Sequence, residues 1–90
     1  MFQLVSTRHF DRRLAKFRQS RPELKKKLAQ VFCDLESDPF QPHLRLHALR
    51  GELEGLHAVR ITHSYRMTLT LKITKREIVL LDIGSHDDVY

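Results

Sequence analysis

His47, Arg60, His63, Arg66, His86, Asp87, Asp88 and Tyr90 all fall in the second half of this 90-residue sequence. Histidine moves a proton near neutral pH. Arginine offers phosphate oxygens a planar, permanently charged fork. An aromatic ring can hold a nucleobase by stacking. Together these residue types suit cleavage of RNA by its own ribose. That reaction needs a base for the 2′-hydroxyl proton, cations for the crowded phosphorane and an acid for the leaving 5′-oxygen. It requires no metal. Taken singly, each residue also has a plain reading: a surface or capping histidine, an arginine edging a sheet, a terminal tyrosine lying on its own sheet.

Other chemistries find little support. Of the six histidines, only His43 and His47 have ligand-like spacing, and neither an HExxH pattern nor a partner cysteine accompanies them. No metal site or cofactor is expected. There is no serine elbow, and three scattered glycines make no phosphate-cradling loop. The single cysteine, Cys33, excludes an intramolecular disulfide and suits a reducing cytosol. It reads as a small core residue on a helix. No run of about eighteen apolar residues exists to span a membrane. "MFQLVSTRHF" lacks a secretory apolar segment. The expectation is one cytoplasmic domain over residues 1–90.

The elements that must position these residues follow from periodicity. "FQLVS" reads as a first strand. Ser6 or Thr7 can cap the helix after it, where Phe10, Leu14 and Phe17 recur at helical spacing. "SRPE" reads as a restart, with Ser20 as cap, Pro22 in the first turn and Glu23 closing a capping box. Leu24, Leu28, Val31, Phe32 and Leu35 then form one apolar stripe. Two prolines in "ESDPFQPHL" end that helix, and Gly51 and Gly55 mark a turn. From there the period is two. Val59 and Ile61 face one way and Ala58, Arg60 and Thr62 the other. Tyr65, Met67, Leu69, Leu71 and Ile73 share one face, and Arg66, Thr68, Thr70 and Lys72 the opposite one. "IVLLDI" is the last strand. The order predicts an α+β domain: an N-terminal strand, a two-helix hairpin, then a three-stranded antiparallel meander with helices on one sheet face. The other face is expected to stay polar and open, with room for an extended anionic ligand.

Net charge is +5, and it is uneven. Residues 1–50 carry eleven Lys/Arg against five Asp/Glu, and residues 51–90 five against six. Arg12, Arg13, Lys16, Lys25, Lys26 and Lys27 put the excess on the helices, as a solvated face or one that meets phosphate or an acidic partner.

At this point the chain resembles a family. "LRGELEGLHAVRITHSYRMTLTL" followed by "IVLLDIGSHDDVY" resembles the RelE/ParE superfamily of type II toxins. The shared pattern is the glycine pair, the "RIT" and "YR" strands and the terminal "GxHxxVY". The ending is closest to the YafQ-like ribosome-dependent nucleases. The resemblance implies a RelE-like fold and an endoribonuclease that cleaves messenger RNA in the ribosomal A site. It also implies partners: a cognate antitoxin that silences the toxin, and the ribosome with its RNA. His47 and His86 match functional histidines of YafQ-like members, and Tyr90 matches their C-terminal aromatic. Arg66 matches an arginine that contacts the scissile phosphate. Arg60 stands where those members place a histidine, which implies phosphate stabilisation there. Tyr65 stands at a tryptophan position and joins the basic helix residues as a substrate- or ribosome-binding candidate. The alternative within the same fold is a ParE-like toxin that binds DNA gyrase without cutting RNA.

Overall fold

Thr7 joins the first strand to the first helix and ties both to the sheet. Its backbone is extended, its hydroxyl oxygen accepts the Phe10 N–H at 3.2 Å, and its hydroxyl donates to the Leu80 carbonyl at 2.9 Å. The structure, a computed structural model, describes the backbone of residues 1–89 and the side chains of residues 1–87. The elements are β1 (Gln3–Ser6), α1 (Arg8–Ser20), α2 (Lys25–Ser37), β2 (His47–Ala48), β3 (His57–Arg60), β4 (Tyr65–Lys72), β5 (Glu77–Ser85) and α3 (His86–Val89).

The strand order is β1-β5-β4-β3-β2. β1 runs parallel to β5 and every other neighbour is antiparallel, so the sheet is mixed around the expected meander. β2 is an addition. Two residues are too few to show a period, and pairing with β3 alone makes them a strand. Gly51 and Gly55 lie between them at φ +71° and +93°, the left-handed region that glycine enters freely.

The apolar stripes meet as expected. Phe10 and Phe17 from α1 and Leu28, Val31 and Leu35 from α2 close over Val59, Ile61, Met67, Leu69, Ile78, Leu80 and Ile83. Phe10 meets Phe32 edge-on, ring centroids 6.4 Å apart.

Four local expectations are corrected. The Ser20–Glu23 capping box does not form. Pro22 disfavours helical backbone in the residue before it, so the break falls at Arg21, and Ser20 stays inside α1 with its hydroxyl on the Lys16 carbonyl at 3.0 Å. Cys33 is exposed, because it sits two residues past Val31, on the far side of α2 from the stripe. Ile73 is exposed, because β4 ends at Lys72 and the chain turns there. The polar sheet face is not open along its whole length. Ala58 and Thr68, paired with each other across β3 and β4, are buried at its centre, and α3 lies against β4 and β5.

β1 ends opposite Leu80, yet β5 continues to Ser85. On the side that β1 leaves, Asp82 Oδ1 accepts the Ile83 N–H at 2.8 Å, and Arg13 Nη2 donates to the Ile83 carbonyl at 3.3 Å. Arg13 Nε also donates to Asp82 at 3.0 Å. One ion pair between α1 and β5 thus replaces a missing strand. Asp82→Ala leaves the Ile83 N–H and Arg13 without that acceptor and should lower unfolding stability by about 1–3 kcal/mol. Asp82→Asn keeps an acceptor oxygen and should cost less. Urea denaturation of the two variants measures the difference.

Candidate active site

Strand alternation sends Arg60 and Arg66 to the same face, and the β3–β4 register sets them directly opposite each other. Like charges placed so cost a sheet roughly 0.2–1 kcal/mol. Two guanidiniums on one face make a place where an anion would offset that cost. Gly84 of β5 is opposite Arg66 and brings no side chain to the row. His86 follows at the start of α3, and Arg66 Nη1 donates to its Nδ1 at 2.8 Å. A guanidinium only donates. The neutral His86 ring therefore carries its proton on Nε2.

His47 is reached from the other side. It lies on β2, paired with Ala58, one row along from Arg60. The chain arrives through a 3₁₀ turn, Pro42–Leu44, anchored by fully buried Leu44. Arg45 then takes φ 51°, a left-handed conformation that costs a non-glycine residue about 1–2 kcal/mol. That conformation turns the Arg45 carbonyl to His47, whose Nδ1–H donates to it at 2.8 Å. In the neutral ring Nε2 is then the acceptor nitrogen.

His47, Arg60 and Arg66 line one cleft of about 630 Å³ with Pro42, Arg45, Leu46 and His63. β2 and β5 are three strand spacings apart, about 14 Å, so the two histidines flank a pair of arginines. Two imidazoles of opposite tautomer and two guanidiniums are groups able to move protons around a phosphate.

The structure sets His47, Arg60 and Arg66 on one cleft and holds His86 on Arg66, while Tyr90 lies outside the described residues. Tyr65 is on the other face of β4. Its ring meets Phe17 edge-on at 5.1 Å, and its hydroxyl accepts from Arg21 at 2.6 Å. It lines a separate hollow with Arg13 and Lys16. Arg12, Lys25 and Lys26 are exposed on the helices, and Lys27 points to a cleft beside the arginines. His63 sits in the turn between β3 and β4. It is exposed, but it also lines the cleft. The available signal was its place midway between Arg60 and Arg66 in a short hairpin. His43 and His47 do not converge despite their spacing, since His43 Nε2 meets Asp34 at 2.7 Å. Among the described residues, no three His, Cys, Asp or Glu side chains form a group able to hold a metal.

No family model and no curated protein matches the chain. Solved structures do. A metal-bound toxin from Helicobacter pylori matches with a TM-score of 0.82 and 22% identity, over 100% of both chains. YafQ from E. coli strain BL21(DE3) matches with a TM-score of 0.81 and 14% identity, over 100% of this chain and 99% of its own. The RelBE2 toxin-antitoxin complex from Mycobacterium tuberculosis matches with a TM-score of 0.75 and 22% identity, over 94% and 98%. The chain has the fold of the RelE/ParE toxins. Within that class the YafQ fold covers it end to end.

Asp34 fixes the approach to His47. Its side chain holds His43, and its backbone carbonyl accepts from Gln41 at 2.9 Å. The hydrogen bonds from His43 and then Gln30 hold its carboxyl below the ordinary value of 3.8. A depressed carboxylate pKa adds stability that is complete above the unfolded value and is lost as pH falls through the folded one. Asp34→Asn should therefore flatten the acid limb of the melting temperature below pH 3.8 and leave the slope near neutrality unchanged. Thermal melts across that range measure this.

Proposed function

We propose that this chain is the toxin of a type II toxin-antitoxin system, a cytoplasmic ribosome-dependent endoribonuclease of the YafQ-like branch. The observation that carries the proposal is the opposed Arg60–Arg66 pair with His86 held on Arg66 and His47 at the other end of the cleft. A gyrase-binding toxin of the same fold has no use for two histidines with complementary ring nitrogens.

The chemistry follows from those nitrogens. His47 Nε2 takes the proton of the ribose 2′-hydroxyl. The 2′-oxygen attacks the adjacent phosphorus, and Arg60 and Arg66 balance the charge that builds on the non-bridging oxygens. As a phosphate oxygen takes over the Arg66 N–H, His86 Nδ1 is released to accept a proton from solvent water, to which His47 later returns the one it took. The imidazolium then gives its Nε2 proton to the leaving 5′-oxygen as the P–O bond breaks. The products are a 2′,3′-cyclic phosphate and a free 5′-hydroxyl. No step calls on a metal or cofactor. Tyr90, four residues past His86, is assigned to orienting the nucleotide.

The basic helices, with Arg12, Arg13, Lys16, Lys25 and Lys26 exposed or at their rims, suit ribosomal RNA phosphates. Tyr65 is assigned to the same surface beside Arg13 and Lys16. A cognate antitoxin partner is supported by the RelBE2 match, which is itself a toxin-antitoxin complex.

Induced expression of wild type should stop growth and leave codon-phased 5′ ends on ribosome-bound messenger RNA. His86→Ala and Arg66→Ala should each lower cleavage by roughly 10²–10⁴-fold, and Tyr90→Ala should lower it as well. Growth arrest with intact messenger RNA and trapped DNA breaks would instead select the gyrase-binding reading.

A further inference from the structure

The reaction cleft does not end at Arg45 and Arg60. Both residues also line a second cleft of about 400 Å³, completed by Lys27, His43, Ile61 and Thr62. Its cations come from three parts of the chain: Lys27 from α2, Arg45 from the left-handed turn and Arg60 from β3. Among the described residues no carboxylate lies within ion-pair distance of Lys27, Arg45 or Arg60. The nearby acid, Asp34, feels the Lys27 charge from beyond ion-pair distance, and it already accepts from His43 at 2.7 Å and from Gln30 at 2.9 Å. Ile61 is a buried apolar wall. The Thr62 oxygen accepts the Ser64 N–H at 3.2 Å, which leaves the hydroxyl proton to donate.

Three cations with no paired carboxylate, a hydroxyl donor and a wall shared with the reaction cleft describe a site for a second anion on the same ligand. We infer that this cleft is a subsite for the phosphate next to the scissile one on a single RNA strand. Arg45 and Arg60 sit between the two phosphates, and Lys27 and Thr62 serve the flanking one alone. This rests on the reading of the first cleft as an RNA-cleaving site. It also gives the strand a direction through the protein, from α3 across the sheet toward the N-terminal half of α2.

The test uses the full chain and two 2′-O-methylated probes that cannot be cleaved. One is a dinucleoside monophosphate and the other a trinucleoside diphosphate, each titrated by NMR across a salt series. The trinucleotide should bind more tightly to wild type, with a log K against log salt slope steeper by about 0.7 for the extra phosphate. Lys27→Gln should remove most of that gain, and Lys27→Glu all of it. Neither should change dinucleotide binding, and Lys27→Arg should restore the gain. Lys27 is exposed on α2, so these variants keep the core intact. An equal loss on both probes, or no loss on either, overturns the subsite while the RNA reading stands. Failure of wild type to bind either probe overturns both.

Discussion

β5 is nine residues long, and β1 covers four of them. The remaining edge must be satisfied by something other than a strand, because unpaired edge groups cost stability and invite pairing with other chains. α1 does this with Thr7 on the Leu80 carbonyl and Arg13 on Asp82 and Ile83. Much of the structure depends on that arrangement. It sets α1 along β5, so Phe10 and Phe17 reach the core face. It holds the last residues of β5 in the sheet, so that Gly84 and Ser85 stay paired with β4 and His86 emerges beside Arg66.

The site depends on alternation across the same strands. Tyr65 and Arg66 are neighbours in sequence, yet one packs on Phe17 and the other meets His86. A slip of one residue between β3 and β4 would exchange those roles and bury a guanidinium. The register shift between Thr68 and Leu69 lets β4 and β5 keep apolar pairs on both sides of it, Met67 with Ile83 and Leu69 with Leu80. The arginines thus come from the well-paired middle of the sheet, and the histidines from its two flanks. On the proposed reading, the cations that balance phosphate charge sit on the most fully paired strands.

The acids and the bases of the chain are used differently. Asp82 and Asp34 work inside the fold, the first on Arg13 and the second on His43 and Gln30. Arg60 faces Arg66 and is not offset by any described carboxylate. On the proposed reading, a bound phosphate offsets the cost of that pairing. The left-handed Arg45 carries a similar cost, and its conformation orients His47.

The sequence by itself determined the elements and the order of their faces. Helical stripes at 28, 31 and 35 and strict alternation from Tyr65 to Leu71 are local properties; burial followed the stripe fully and the alternation in part, since Thr68 is buried and Tyr65 and Leu71 are half-buried. It also determined the residue types that could handle a phosphate, and the C-terminal motifs pointed to the fold that solved toxins share. Three things only the tertiary structure decided. β2 exists because His47 and Ala48 pair with β3, which no local period of two residues can reveal. Arg13, one cation among many in sequence, is a structural brace, because the edge it closes is created by the mismatch in length between β1 and β5. His63 and Lys27 border the two clefts, because a hairpin turn and the start of α2 come together there. Local preferences fix where a side chain points along its own element. Which charges face one another is fixed by how the elements pack, and that information is spread over residues far apart in the chain.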